Sequence, residues 1–181
     1  MYLWTESMIL KFSSKTSVQV YKVLKYILGS DIKVMKAQAD TVEIKVKDDE
    51  IIDIDNLKIR SMYTPGHTSD SYSFLLDNYL FTGDTLLING TGRTDFQNGS
   101  SKDAYNSLFN NLLKLPEETL VYPGHDYNGK FSSTIGNEKK FNPRLQVKSV
   151  DEYVGIMSKL NLAKPKMIET NVSRNIKLGA N

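Results

Sequence analysis

Thr64-Pro65-Gly66-His67-Thr68 is the stretch of this sequence on which the prediction of its fold depends. The same form recurs at Tyr122-Pro123-Gly124-His125-Asp126, and a shorter version stands between them at Phe81-Thr82-Gly83-Asp84. Each time, a strand-like segment ends at a glycine, and a side chain able to bind a metal follows. Glycine lets the backbone turn sharply as it leaves a strand, which would present the ligand at the end of a sheet.

The shared context predicts a common site for His67, Asp84 and His125. Each residue alone is typical of a turn, but the chain has only two histidines, and both stand directly after a Pro-Gly pair. If the three strand ends lie side by side, two imidazoles and one carboxylate converge. That donor set suits Fe(II), Zn(II) or Mn(II).

Composition places the chain among ordinary globular proteins. Its 181 residues suit a single domain spanning 1–181. The absence of cysteine excludes disulfides and thiolate ligands. A net charge of only +2 gives no reason to expect nucleic acid as a partner, and no apolar run is long enough to predict a membrane span.

The pattern of apolar residues predicts an α+β fold, because the strands come in hairpins and do not alternate strictly with helices. Hairpins are expected from 51–54 with 57–59 and from 71–76 with 79–82, and a further strand at 120–122. Helices are expected at 17–28, at 101–113 and after Ser149, the last with a buried stripe of Val154, Met157 and Leu160. An additional strand is expected at 41–47.

The three glycine-preceded motifs together resemble successive metal-site motifs of the metallo-β-lactamase superfamily. Within it, five further runs resemble the persulfide dioxygenases, which are relatives of glyoxalase II, and the resemblance covers about residue 37 to the C-terminus. These runs are Gly92-Arg93-Thr94-Asp95-Phe96-Gln97, His125-Asp126-Tyr127, Asn142-Pro143-Arg144-Leu145, Ala37-Gln38-Ala39-Asp40 and Leu160-Asn161-Leu162-Ala163-Lys164-Pro165. The resemblance implies an αββα sandwich.

It also implies an activity and a set of site residues. Persulfide dioxygenases oxidise glutathione persulfide with O2 at one non-haem Fe(II), held by two histidines and an aspartate; Zn(II) is the alternative metal. His67 matches the second of those histidines and Asp84 the aspartate, while His125 matches a ligand of the second metal in glyoxalase II-like relatives. The glutathione pocket would be lined by Arg93, Tyr127 and Arg144.

One motif of the superfamily, His-x-His-x-Asp-His, does not occur in this sequence. We therefore expect a sandwich that is incomplete at the N-terminus, an iron site without its first histidine, and an isolated chain that is inactive. Two other hypotheses stay open: a glyoxalase II-like thioester hydrolase, and an inactive fragment or one half of a split enzyme. A homodimer or a separate N-terminal fragment would be the partner. A cytoplasmic location is expected, with a mitochondrial one as the alternative for a eukaryotic protein.

Overall fold

The computed structural model describes residues 46–54, 57–96, 98–126 and 128–163. The helix predicted at 17–28, most of the strand predicted at 41–47, and Tyr127 lie outside these residues. The chain divides into two compact units, one comprising Lys47–Lys159 and the other Met1–Val46 with Leu160–Asn181. Every helix and strand given below belongs to the Lys47–Lys159 unit, so the prediction of one domain over the whole chain stays a prediction.

A six-stranded mixed sheet forms the frame of this unit. Along the sequence, a separate two-stranded ribbon falls between the fourth and fifth strands of that sheet. The strands of the sheet, in spatial order, are β1 (Ile51–Ile54), β2 (Leu57–Tyr63), β3 (Tyr72–Leu76), β4 (Tyr79–Gly83), β7 (Leu120–Pro123) and β8 (Ser133–Thr134). The ribbon pairs β5 (Leu86–Leu87) with β6 (Gly90–Thr91).

Strand direction in the sheet decides where the predicted ligands emerge. The hairpins β1–β2 and β3–β4 are antiparallel, as the sequence predicts, and β2 also pairs with β3 in the antiparallel sense. The pair β4–β7 is parallel, with Phe81 opposite Tyr122 and Gly83 opposite Pro123. The hairpin pattern does not predict this pair; the connection between the two strands carries helical turns, which is how parallel neighbours are joined. Consequently β2, β4 and β7 all run in the same direction.

The helices are short and each begins at a hydroxyl cap. They are α1 (Ser101–Asn106), which continues through a π turn (Ser107–Asn111) and a 3-10 turn (Leu112–Lys114), then α2 (Ile135–Phe141), a 3-10 turn (Pro143–Leu145), and α3 (Val150–Ser158). The side chains of Ser100, Thr134 and Ser149 each accept a hydrogen bond from the backbone N–H three residues later. These bonds satisfy donors that the first helical turn leaves without partners.

The core draws on both strands and helices. The sheet contributes three side chains that are at most 1 % exposed, namely Leu76, Leu80 and Val121. The helical turns contribute Leu108 and Leu112, which are fully buried. In α3 the buried residues are Tyr153 and Met157. The predicted stripe is therefore wrong at Val154, which is 36 % exposed, and at Leu160, which is only half-buried and lies past the end of α3. None of the helices in the described part of the chain has the length and apolar character needed to cross a bilayer.

Candidate metal centre

The predicted ligands lie together at one edge of the sheet. The chain leaves β2 toward His67, leaves β4 at Asp84 and leaves β7 toward His125, and because these strands run in the same direction, all three exits fall on the same side. The N–H of Gly124 donates a hydrogen bond of 2.6 Å to the carbonyl of Gly83. That bond joins the backbone immediately before Asp84 to the backbone immediately before His125.

Buried hydroxyls fix the strand ends that carry the site. Thr64 and Ser73, both fully buried, place their side-chain oxygens 2.9 Å apart. The hydroxyl of Thr85 donates to the carbonyl of Thr64 at 3.3 Å, which links the exit of β2 to the turn after Asp84. The hydroxyl of Thr82 donates to the carbonyl of Leu86 at 2.6 Å and closes that turn. Such satisfied hydroxyls hold the local backbone in one arrangement.

Two glycines permit close backbone approaches around His67. Gly66 has φ of +144°, and a Cβ there would lie 2.4 Å from the Cα of Ala104 in α1. At Gly92 a Cβ would lie 2.0 Å from the carbonyl oxygen of Asp84 and 3.0 Å from the Cβ of His67. No side chain fits at either position, so both must be glycine for this arrangement to exist.

Asp84 stands between the two histidines. The Nδ1 atom of His125 lies 2.6 Å from Asp84 Oδ1, and the Nε2 atom of His67 lies 3.6 Å from Asp84 Oδ2. On its other side, the ring of His67 places Nδ1 2.7 Å from the carbonyl oxygen of Arg93. The side chains of His67, Asp84 and His125 are 27 %, 18 % and 26 % exposed, so all three can be reached from solvent.

The hydrogen bonds determine where the imidazole protons are. A carbonyl oxygen can only accept, so Nδ1 of His67 carries the proton, and in the neutral ring Nε2 then holds a lone pair. In this tautomer the lone pair of Nε2 faces the carboxylate of Asp84. Two ligands about 2.1 Å from one tetrahedral ion stand roughly 3.4 Å apart, which is close to the observed 3.6 Å. His67 and Asp84 therefore fit a shared cation.

The described residues contain no group of three histidine or acidic side chains arranged to hold one ion. His125 donates its Nδ1 proton to Asp84, which is the contact of an outer residue that orients a ligand. The three-residue metal site therefore stays a prediction, with His67 and Asp84 as the pair whose geometry fits best.

Arg93 lies beside the site, with its guanidinium engaged by a neighbour. Its Nε and Nη2 atoms donate to the two carboxylate oxygens of Asp95 at 2.7 and 2.8 Å, and its Cζ lies 4.3 Å from the centre of the Phe96 ring. The hydrogen bond from Arg93 holds the pKa of Asp95 below its usual value. Arg93 is 14 % exposed and Asp95 is 55 % exposed, so the arginine is the more buried partner of this ion pair.

Arg144, the other predicted arginine, contacts the ribbon. Its Nη1 atom donates to the carbonyl of Thr91, and burial lowers the pKa of the guanidinium. Among the described residues it forms no salt bridge with a carboxylate. Its part in a glutathione pocket stays a prediction, as does that of Tyr127.

The sequence does not single out two functional features of this site. The carbonyl of Arg93 orients His67, and Gly92 gives the backbone its close passage past both Asp84 and His67. Every residue has a backbone carbonyl, so the sequence cannot mark which carbonyl will orient the histidine. Gly92 does belong to the Gly92–Gln97 run, which is the signal that could have marked it.

The sequence profile of the Metallo-beta-lactamase superfamily matches residues 5–125. The human protein named persulfide dioxygenase ETHE1, mitochondrial, is 41 % identical over 145 residues, which cover 79 % of this chain and 56 % of that protein. A probable hydroxyacylglutathione hydrolase of Schizosaccharomyces pombe is 34 % identical over 160 residues, covering 70 % of this chain and 62 % of that protein. The chain thus spans just over half the length of the curated persulfide dioxygenases that it matches.

Solved structures agree with these relatives. The crystal structure of ETHE1 from Myxococcus xanthus superposes with a TM-score of 0.77 at 42 % identity, over 88 % of this chain and 71 % of that one. A metallo-beta-lactamase from Staphylococcus aureus, at 24 % identity, shares the fold with a TM-score of 0.70, over 88 % of this chain and 54 % of that one. The α+β metallo-β-lactamase fold predicted from the sequence is confirmed. The chain belongs to the metallo-β-lactamase superfamily, and within it resembles the persulfide dioxygenases.

Proposed function

We propose that this chain carries part of the active site of a persulfide dioxygenase, in which one non-haem Fe(II) is bound by His67 and Asp84 and the substrate is glutathione persulfide. The observation that carries the proposal is the 3.6 Å distance between His67 Nε2 and Asp84 Oδ2. The similarity to proteins named persulfide dioxygenase supports the reaction class. The site donors also accept Zn(II), the alternative metal.

Bound iron would supply the redox chemistry with O2 that converts the terminal persulfide sulfur to sulfite. The residues of this chain would supply orientation. The carbonyl of Arg93 keeps the proton on Nδ1 of His67, so that Nε2 points toward Asp84 as a donor. His125 donates to Asp84 Oδ1 and leaves Oδ2 facing His67.

Arg93 would hold a carboxylate of the glutathione moiety. Its planar fork already binds the carboxylate of Asp95 in the bidentate geometry that a substrate carboxylate would need. A substrate carboxylate bound there would replace Asp95 as the partner of the arginine. Tyr127 and Arg144 would be further parts of the same pocket.

A glyoxalase II-like thioester hydrolase is the second candidate. The observation in its favour is the 2.6 Å contact of His125 with Asp84, because a second metal beside the first would use a histidine at this place. The similarity to a probable hydroxyacylglutathione hydrolase points the same way. A hydrolase needs water activated by metal in place of O2, so the two candidates differ in their requirement for oxygen.

The experiment that tests the proposal supplies the absent motif. A segment carrying the motif His-x-His-x-Asp-His is fused ahead of the full chain, and the fusion is loaded with iron without oxygen. We expect glutathione persulfide to cause O2 uptake and sulfite formation by the fusion, and none by the chain alone. A fusion carrying Asp84→Ala is the matched inactive control.

Either of two results would count against the dioxygenase. Oxygen-independent cleavage of a glutathione thioester, without O2 uptake on persulfide, would establish the hydrolase in its place. A fusion that binds iron stoichiometrically and performs neither reaction would remove both candidates. We further propose a homodimer as the assembly, and a cytoplasmic or mitochondrial location.

A further inference from the structure

Glu138 of α2 is a buried carboxylate with an incomplete set of partners. It is 1 % exposed, and its Oε1 atom has no hydrogen-bond partner among the described residues. Its Oε2 atom accepts from the N–H of Asn89 at 2.9 Å and from Nδ2 of Asn142 at 2.8 Å. Burying a carboxylate costs free energy unless it is fully paired, so core stability is a poor explanation for a glutamate here.

The contacts of Glu138 belong to a larger set directed at the turn and end of the β5–β6 ribbon. Besides bonding Glu138, the amide of fully buried Asn142 donates to the carbonyl of Gly90 at 2.9 Å. Arg144 donates to the carbonyl of Thr91. Three side chains from one short segment thus hold three consecutive residues of the ribbon, namely Asn89, Gly90 and Thr91.

This ribbon connects the two halves of the candidate metal centre. It begins directly after the turn that contains Asp84 and ends one residue before Gly92, whose backbone touches Asp84 and His67. The next carbonyl, that of Arg93, accepts the Nδ1 proton of His67. A displacement of Thr91 would therefore move this carbonyl away from the imidazole.

We propose that Glu138, Asn142 and Arg144 are positioning residues that fix the tautomer and orientation of His67 through the β5–β6 ribbon. They reach the imidazole only through backbone, at the carbonyl of Arg93. Outer partners of this kind set which nitrogen of a histidine is available to a metal. The inference rests on the proposed function only in so far as His67 serves as a ligand.

The test reads the His67 ring by nitrogen NMR in the metal-free full chain, held at a pH where the imidazole is neutral. With two histidines in the chain, a His67→Gln variant assigns the signals. The parent is expected to carry the proton on Nδ1. Glu138→Ala should abolish that preference, whereas Glu138→Gln should retain it, because one amide oxygen can accept from both Asn89 and Asn142. Asn137→Ala, an exposed change on the same helix, is the control.

A second variant covers the case in which Glu138→Ala does not fold. Arg144→Met keeps the aliphatic stem but removes the hydrogen bond to Thr91. Like Glu138→Ala, it should abolish the preference of the His67 proton for Nδ1. Folded variants of either kind with the parent tautomer would overturn the proposal. Cobalt(II) affinity, measured in parallel, should fall about 10–100-fold in Glu138→Ala. A parent chain that binds no cobalt would count against the proposed function alone, since the tautomer is read without metal.

Discussion

At the scale of single residues, the candidate site follows from the identity of a few donors and two glycines. The sequence predicts His67, Asp84 and His125 because a turn-forming glycine precedes each of them, and the structure brings all three together. It does not predict that Nε2 of His67 is the nitrogen facing Asp84. That detail depends on the carbonyl of Arg93, a backbone group whose location only the folded chain specifies.

Gly92→Ala tests whether the backbone at residue 92 must lie as close to Asp84 and His67 as it does. The added methyl would lie 2.0 Å from the Asp84 carbonyl oxygen, so the segment must move, at a cost of about 1–3 kcal/mol in unfolding free energy. Movement should also weaken metal binding through His67. Urea unfolding and a cobalt titration measure the two effects.

Gly155→Ala is the matched control. Nothing lies within 4 Å of a Cβ at this position in α3, so alanine should stabilise the chain by roughly 0.5–1 kcal/mol. Equal behaviour of the two variants would contradict the role given to Gly92.

At the scale of elements, local pattern predicts hairpins and helix starts and fails where distant segments meet. Short apolar runs predict the hairpins β1–β2 and β3–β4, and the helix expected after Ser149 is α3, which Ser149 caps. The parallel pairing of β4 with β7 is not visible in local sequence, because its partners are separated by the whole helical crossover. The apolar pattern predicts Val154 in the buried stripe of α3, because apolarity alone does not reveal that the hydroxyl of Tyr153 finds a buried partner.

That partner makes Tyr153 the link between the ribbon and two helical segments. Its hydroxyl lies 2.9 Å from Thr91 Oγ1, and its ring lies 5.9 Å from that of Tyr105 in α1. Burial raises the pKa of the phenol above 10.0. Because the folded pKa is the higher one, the stabilisation is fully present below pH of about 10 and is lost as pH rises through the folded value.

Tyr153→Phe removes both the hydrogen bond and the titration. At neutral pH the variant should lose about 1 kcal/mol of unfolding free energy. Above pH of about 10 the parent should lose stability more steeply than the variant, so the difference between them narrows. Chemical unfolding at a series of pH values measures both. A gap that stays constant into the alkaline range would contradict the burial of a neutral phenol.

At the scale of the whole molecule, fold class follows from composition and strand pattern, and the family from motifs in combination. A mixed sheet in which β2, β4 and β7 share a direction gathers three separate motifs at one edge. The identity of the metal does not follow, because imidazole and carboxylate donors suit Fe(II), Zn(II) and Mn(II) alike. The sequence also does not tell whether the set of metal ligands is complete, because it offers only two histidines.

The central claim is that His67 and Asp84 together bind a metal. Oxygen-free titration of the full chain with cobalt(II), followed by its visible absorption, tests it most directly. We predict one weakly held ion per chain, with binding lost in His67→Ala and in Asp84→Ala and unchanged in Asp103→Asn, an exposed carboxylate of α1. Binding that survives both ligand changes, or no binding to the folded parent at millimolar cobalt, would contradict the claim.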